Sequence, residues 1–176
     1  MHLTGMRLFP IIMASLAFCS CASQKNTRVY AYRQPVLQGA KPSGVIDEKG
    51  KEVEMQVKER PANFFIYLEM RPTAQVEMKE IWIKQKAYVA NMTTVPSTPV
   101  VIMPQVRINA GDTLVKATKN QVFQISPGKS LEIAGISAEV QKKINDNEVV
   151  IHCLVNGKER YYVLASIKNL PPVALQ

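Results

Sequence analysis

The feature that most constrains the fold of this chain is a pair of strand-like segments joined by Asn156-Gly157. A two-residue type I′ turn needs a positive φ at both positions, and Asn followed by Gly adopts it most readily. The flanking segments, residues 148–155 and 158–167, are rich in β-branched and aromatic side chains. A turn of this length also sets the register, so we expect His152 to pair with Tyr161 and Cys153 with Arg160.

Further strand-like segments run through most of the chain, separated by Pro, Gly and other turn residues. They cover residues 52–58, 63–70, 80–84, 86–92, 100–103, 113–117, 121–125 and 131–133. Residues 136–145 form the single helix-like segment, with Ser137 as a suitable N-cap. About nine strands at a spacing of roughly 8–12 residues, with at most one short helix, predict an all-β fold, an antiparallel sandwich.

The order of these segments resembles an immunoglobulin-like sandwich. Trp82 lies in the strand after the Phe65 strand, where such folds carry a core Trp, and the Asn156-Gly157 hairpin would supply the last two strands. The sequence departs from that family because Cys153 has no second Cys with which to link the two sheets. The resemblance implies an architecture and does not imply an activity.

The N-terminus has the layout of a secretory signal. Arg7 precedes an apolar stretch of about 11 residues, well short of the roughly 20 needed for a membrane-spanning helix. The stretch ends at Cys19-Ser20-Cys21, which resembles the signal peptides of bacterial lipoproteins, in which a Cys after small residues is lipidated. Cys21 is the preferred site because Ser20 precedes it; Cys19, preceded by the bulky Phe18, is the alternative. An ordinary secretory signal cut near Ala22 is the other interpretation.

This resemblance divides the chain into three parts. Residues 1–20 are expected to be the signal peptide, residues 21–43 a lipidated N-terminus and flexible tether, and residues 44–176 the β-sandwich domain. The tether includes one extended segment, residues 28–33, which we interpret as a first edge strand. Because Ala22 follows Cys21, the likeness to enterobacterial lipoproteins implies the outer membrane, with the domain facing the periplasm. The net charge of +8 suits an anionic lipid surface or an acidic partner, whereas nucleic acid is not expected in that compartment.

Few residues suggest catalysis or metal binding. The chain has two His, and His152 beside Cys153 does not form a nucleophile–base pair because neighbouring strand residues point to opposite faces. Cys153 is instead expected to be a buried, inert thiol. Pro127-Gly128-Lys129-Ser130 lacks the upstream Gly of a phosphate-binding loop. We therefore expect no catalytic, cofactor or metal site.

The tyrosines are the remaining candidates. Tyr combines a large contact area with a low entropy cost, and is enriched at interfaces. The residues proposed for an interface are Tyr30, Tyr32, His152 and Tyr161. A Tyr lying flat on its own sheet is the equally weighted alternative.

Three functions follow as hypotheses. The first is a lipid-anchored, non-enzymatic accessory or adaptor in a periplasmic or outer-membrane complex, with an envelope protein as partner. The second is a lipoprotein that binds a small ligand in a pocket between the sheets. The third, less favoured, is an envelope hydrolase with a catalytic site assembled from distant segments.

Overall fold

A computed structural model describes residues 27–37, 62–102 and 111–174. Within these ranges lie eleven strands and one helix. They are β1 (Arg28–Leu37), β2 (Ala62–Met70), β3 (Val76–Ile83), β4 (Lys86–Thr94), β5 (Val100–Ile102), β6 (Asp112–Val115), β7 (Gln121–Leu131), α1 (Ala138–Asp146), β8 (Val149–Val155), β9 (Lys158–Leu164), β10 (Lys168–Asn169) and β11 (Val173–Ala174).

Nine strands form one sheet in the order β10-β1-β2-β7-β4-β3-β8-β9, and β11 also pairs with β1. The short strands β10 and β11 run parallel to β1, whereas the other pairs are antiparallel. β5 and β6 make a separate two-stranded hairpin. The prediction of an all-β, antiparallel, sandwich-like fold with one short helix is confirmed.

The large sheet curls so that its two halves share one core. Ile66 and Leu68 of β2 lie in the same buried cluster as Ile151 of β8, although three strands separate β2 from β8 in the sheet order. Tyr162 and Leu164 of β9 pack against this cluster too. Each fully buried Ile or Leu side chain contributes about 1.5–3 kcal/mol, so the inner cluster is the main source of stability.

The outer surface of the sheet has two differently covered regions. The hairpin-covered face is the outer side of β1, β2 and β7, where Tyr67 and Val122 pack with Leu114 and Val115 of β6. The helix-covered face is the outer side of β3, β8 and neighbouring strands, where Trp82 packs with Ile144 of α1. These two regions position the polar clusters described below.

The C-terminal hairpin matches its sequence prediction. Asn156 and Gly157 have φ values of 51° and 73°. His152 pairs with Tyr161, and Cys153 pairs with Arg160. The turn is also attached to the chain before β3, because the backbone N–H of Gln75 donates to Oδ1 of Asn156 at 2.9 Å.

The helix and β7 differ from their predicted limits. α1 starts at Ala138, two residues later than predicted, because Ser137 serves as its N-cap. The predicted strand 121–125 extends without a break through Pro127 and Gly128 to Leu131 as β7, and residues 132 and 133 of the predicted strand 131–133 lie outside it. The register between β4 and β7 shifts near Pro127, and such an irregularity tolerates a Pro that cannot donate a hydrogen bond. A Cβ at Gly128 would lie 3.0 Å from Nδ2 of Asn91, so the close approach favours Gly.

The predicted boundary between tether and domain needs correction. β1 is a ten-residue strand, paired with β2 on one edge and with β10 and β11 on the other. Residues 28–37 therefore belong to the folded unit and not to a tether, and β1 is not an edge strand. The predicted strand 52–58, the signal peptide and both candidate lipidation sites, Cys19 and Cys21, lie outside the described residues.

Candidate functional site

The helix-covered face centres on His152, which the alternation of β8 turns away from the core. Val149, Ile151 and Cys153 of the same strand are fully buried in the inner side of the sheet. Opposite His152 on β3, a register shift between Met78 and Glu80 inserts an extra residue and brings Glu80 level with the imidazole. The hairpin and this bulge therefore define the position of the cluster.

The His152 ring is held between two carboxylates. Its Nδ1 lies 2.7 Å from Oε1 of Glu80, and its Nε2 lies 2.7 Å from Oε1 of Glu159. A doubly protonated imidazole can donate from both nitrogens, whereas a neutral ring can donate from one only. The His152 side chain is 12% exposed, so both bonds are partly shielded from water. Both ring nitrogens of His152 are therefore occupied by contacts with carboxylate oxygens.

Two aromatic rings lie next to this imidazole. Tyr161 stacks on His152 with ring centroids 4.3 Å apart and planes 7° apart. The ring centroids of Trp82 and His152 are 6.4 Å apart. Burial, followed by the charge of Glu159 and its hydrogen bond, raises the pKa of the Tyr161 phenol to about 12. The phenol is therefore protonated at physiological pH, and it donates to Oε1 of Glu159 over 3.3 Å.

Helix α1 forms one border of the site. The ammonium group of Lys143 lies 5.8 Å from the centre of the Tyr161 ring, and it also pairs with Glu139 one turn earlier. Between the start of α1 and the sheet lies an open groove of about 260 Å³. Its lining residues are Glu80, Trp82, Ile133, Ala134, Gly135, Ile136, Ser137, Val140 and Tyr161.

Partly exposed aliphatic side chains lie on the same side of the sheet as this cluster. Val89 pairs with Glu80, Leu131 with Ala87 and Val163 with Val150, so all three lie on the outer side of the sheet. Together with Ile133 they are 36–43% exposed. We call the surface formed by Val89, Leu131, Ile133, Tyr161 and Val163 the Tyr161 face. Aliphatic and aromatic groups next to a few fixed charges are typical of protein-contact surfaces.

The other two residues proposed for an interface lie elsewhere. Tyr32 is buried on the hairpin-covered face, where its hydroxyl donates to the carbonyl oxygen of Leu114 at 2.6 Å. Tyr30 is partly buried there, and its hydroxyl donates to Oε2 of Glu69 at 2.6 Å. The structure thus brings His152 and Tyr161 together and separates both from Tyr30 and Tyr32. Tyr32 offers no contact surface because its ring is part of the core.

Glu69 is the polar residue that sequence reasoning missed. It is only 3% exposed, and it accepts hydrogen bonds from Tyr30, Thr118 and Asn120. Burial by itself would raise the pKa of this carboxyl, but the three hydrogen bonds together lower it below its ordinary value. Its position in β2 indicates burial, because Glu69 follows the aromatic residues Phe65 and Tyr67 on the same side of the strand. The cluster attaches the loop after β6 to the sheet.

Cys153 is a core thiol, as the hairpin register predicts. Its side chain is fully buried, and burial raises its pKa to about 11. Within residues 27–37, 62–102 and 111–174, no group of three or more His, Cys, Asp or Glu side chains could hold a metal ion. The described part of the chain also contains no helix that is long and apolar enough to cross a membrane.

No family model, curated protein or solved structure matches this chain. Function is therefore inferred from the site itself.

Proposed function

We propose that this chain is a lipid-anchored, non-enzymatic envelope lipoprotein that acts as an accessory or adaptor in a periplasmic or outer-membrane complex. The Tyr161 face is the observation that carries the proposal: partly exposed Val89, Leu131, Ile133 and Val163 share the outer side of the sheet with the stacked Tyr161–His152 pair. A protein partner would cover the aliphatic groups and remove them from water. The stacked rings would lose little conformational freedom on binding.

The chemistry of this face favours contact over catalysis. Both nitrogens of His152 already face carboxylates, and the Tyr161 phenol holds its proton at physiological pH. Cys153 has a raised pKa and lies on the opposite side of the sheet from His152. An adjacent His and Cys on one strand therefore do not work as base and nucleophile.

The proposed anchor would keep the domain near a membrane. Cys21 precedes Thr27, the first described residue, by six positions, and a fully extended segment of that length spans about 20 Å. Acyl chains on Cys21 would therefore hold the start of β1 within that distance of the bilayer surface. An adaptor in this position would meet other envelope proteins in the same leaflet.

Site-specific photo-crosslinking in native cells tests the contact surface. A photoreactive residue at Val163 on the Tyr161 face is compared with one at Val101 on β5, because these valines are 43% and 40% exposed. The proposal expects a discrete protein adduct from position 163 and none from position 101. Equal labelling from both positions, or none from either, would contradict it.

Mass spectrometry of the mature N-terminus tests the anchor separately. The expected N-terminal residue is Cys21 carrying acyl chains, found in the membrane fraction. A free Ala22 or Ser23 N-terminus in the soluble fraction would overturn both the anchor and the location.

A further inference from the structure

The groove beside the start of α1 is continuous with the Tyr161 face. It is lined by the buried Trp82 and by Glu80, whose side chain is 22% exposed, and by the aliphatic side chains of Ile133, Ile136 and Val140. Its volume of about 260 Å³ is below the range for small-molecule sites, which begins near about 300 Å³. The size of the groove therefore suits one side chain of a protein partner better than it suits a whole ligand.

The polar end of this groove belongs to a cluster with a net negative charge. Glu80 and Glu159 both contact the imidazole of His152, each at 2.7 Å. An imidazole carries at most one positive charge, so these three side chains together retain at least one negative charge. Glu80 is the member of the three that lines the groove, so a charge brought by a partner would meet its carboxylate first.

Two lysines on the adjoining elements do not neutralise this cluster. Lys79 of β3 pairs with Glu77, and Lys143 of α1 pairs with Glu139. Each of these ion pairs is neutral as a unit, so neither brings a net positive charge to the groove. The chain as a whole has a net charge of +8, and the groove therefore differs in sign from the protein average.

The phenol of Tyr161, which also lines the groove, is sensitive to the same negative charges. Burial raises the pKa of this phenol to about 12, and the charges of Glu159, Glu80 and Glu139 add to the increase. A local potential that disfavours a phenolate favours a cation at the same place. A basic group on a partner would therefore be attracted to this groove, whereas most of the basic protein would repel it.

We propose that this groove binds an arginine side chain of a protein partner, with the guanidinium at Glu80 and the methylene groups against Ile133 and Ile136. Arginine fits better than lysine because a guanidinium is more weakly hydrated than an ammonium and presents a planar fork that matches a carboxylate. The exposed aliphatic side chains of the Tyr161 face favour apolar residues on either side of that arginine. This inference rests on the proposed adaptor function, since it names the chemistry of the partner at the same face.

Titration of a model peptide into the full chain, in a neutral detergent, tests the arginine site. The chain has one Trp, and because Trp82 lines the groove its fluorescence reports on binding there. The probe is acetyl-Val-Arg-Val-amide, and the control peptide has citrulline in place of arginine, which keeps nearly the same shape without the charge. We expect a saturable change in fluorescence with the arginine peptide and roughly tenfold weaker binding of the citrulline peptide. Equal binding of the two peptides, or no saturable change, would overturn the proposal.

Two substitutions on β3 remove the same charge inside and outside the groove. Binding of the arginine peptide should weaken roughly tenfold in Glu80→Gln and less than about twofold in Glu77→Gln, because Glu77 does not line the groove. Gln keeps the length of the side chain and a hydrogen-bonding oxygen, so the change tests the charge. Equal weakening in the two variants would contradict the assignment to Glu80. Free arginine amide that binds as tightly as the peptide would also overturn it, because the groove would then hold a small cation and not a protein segment.

The photo-crosslink from position 163 connects the groove to the partner in cells. The adduct should be lost in Glu80→Gln and retained in Glu77→Gln, and mass spectrometry should locate the crosslink within a few residues of an arginine in the partner. An adduct that persists in Glu80→Gln, or that is a second copy of this chain, would overturn the arginine site. Selective binding of the arginine peptide without any adduct from position 163 would support the preference of the groove and contradict the adaptor function. The two proposals can therefore fail separately.

Discussion

The carboxylates on the two outer regions of the sheet differ in their exposure to solvent. On the hairpin-covered face, Glu69 is almost completely buried and accepts hydrogen bonds from hydroxyl and amide donors. On the helix-covered face, Glu80 and Glu159 remain partly open to solvent, with side chains 22% and 61% exposed, and both contact His152. The same sheet therefore carries one closed polar cluster and one open one.

The difference follows from what covers each region. The β5–β6 hairpin and the loop after it close over β1, β2 and β7, and Thr118 and Asn120 of that loop supply donors to Glu69. Helix α1 is nine residues long and buries only Ile144. A short amphipathic helix cannot cover the whole outer side of β3, β4, β8 and β9. The closed cluster therefore contributes to stability, whereas the open one leaves aliphatic and charged groups available to a partner.

Removing one carboxylate from each cluster should give the largest difference in the free energy of unfolding. Glu69→Ala leaves Tyr30, Thr118 and Asn120 without their acceptor, and we expect the free energy of unfolding to fall by about 3 kcal/mol. Glu80→Ala on the open face should lower it by about 1 kcal/mol or less, because water can replace the lost partner. Urea unfolding of both variants measures the difference. Similar losses would contradict the division into a closed and an open cluster.

The closed cluster should also make the stability of the protein depend on pH, through the carboxyl group of Glu69. The pKa of Glu69 is lower in the folded chain than its ordinary value of 4.5, so this residue binds protons more readily in the unfolded chain. Its contribution is complete above that ordinary value and is lost as the pH falls toward the lower folded pKa. Urea unfolding between neutral and acidic pH should therefore show falling stability below about pH 5. Glu69→Gln should flatten this decline; an unchanged pH profile would contradict the role of Glu69.

A pair of Tyr→Phe substitutions gives the smallest and most closely matched comparison. Tyr32→Phe removes a buried hydrogen bond of 2.6 Å to the Leu114 carbonyl, and we expect a loss of about 1 kcal/mol. Tyr161→Phe removes a longer contact of 3.3 Å on the open face, and we expect a loss below about 0.5 kcal/mol. Thermal unfolding ranks the two. A larger loss for Tyr161→Phe would show that the open cluster is the more important for stability.

Local patterns predicted the parts of the fold that depend on neighbours in the chain. The Asn156-Gly157 turn, the pairing of His152 with Tyr161 and the buried Cys153 all follow from a two-residue turn and strict alternation. The two sides of β2 were also predictable, because Ile66 and Leu68 face the inner core while Tyr67 faces outward. The helix was predicted with its cap; it starts two residues later and ends one residue later than predicted.

Sequence patterns were less successful for segments whose pairing partner is distant in the sequence. Residues 21–43 were predicted to be a tether with an edge strand at residues 28–33, yet β2 and the short C-terminal strands pair with β1 on both edges. Pro127 suggested a break in β7, but the bulge against β4 accommodates it. Tyr32 was proposed for an interface, but the β5–β6 hairpin covers its ring.

The sequence by itself therefore determined the all-β class, the C-terminal hairpin and the inward-facing sides of β2 and β8, because alternation and turn conformation are local properties. The tertiary structure alone decided which outer face is closed and which is open. Glu69 lies 39 positions from Tyr30 and 51 from Asn120, and Glu80 lies 72 positions from His152. Contacts over such separations form only when the strand order brings the segments together, and no periodicity along the chain encodes that order.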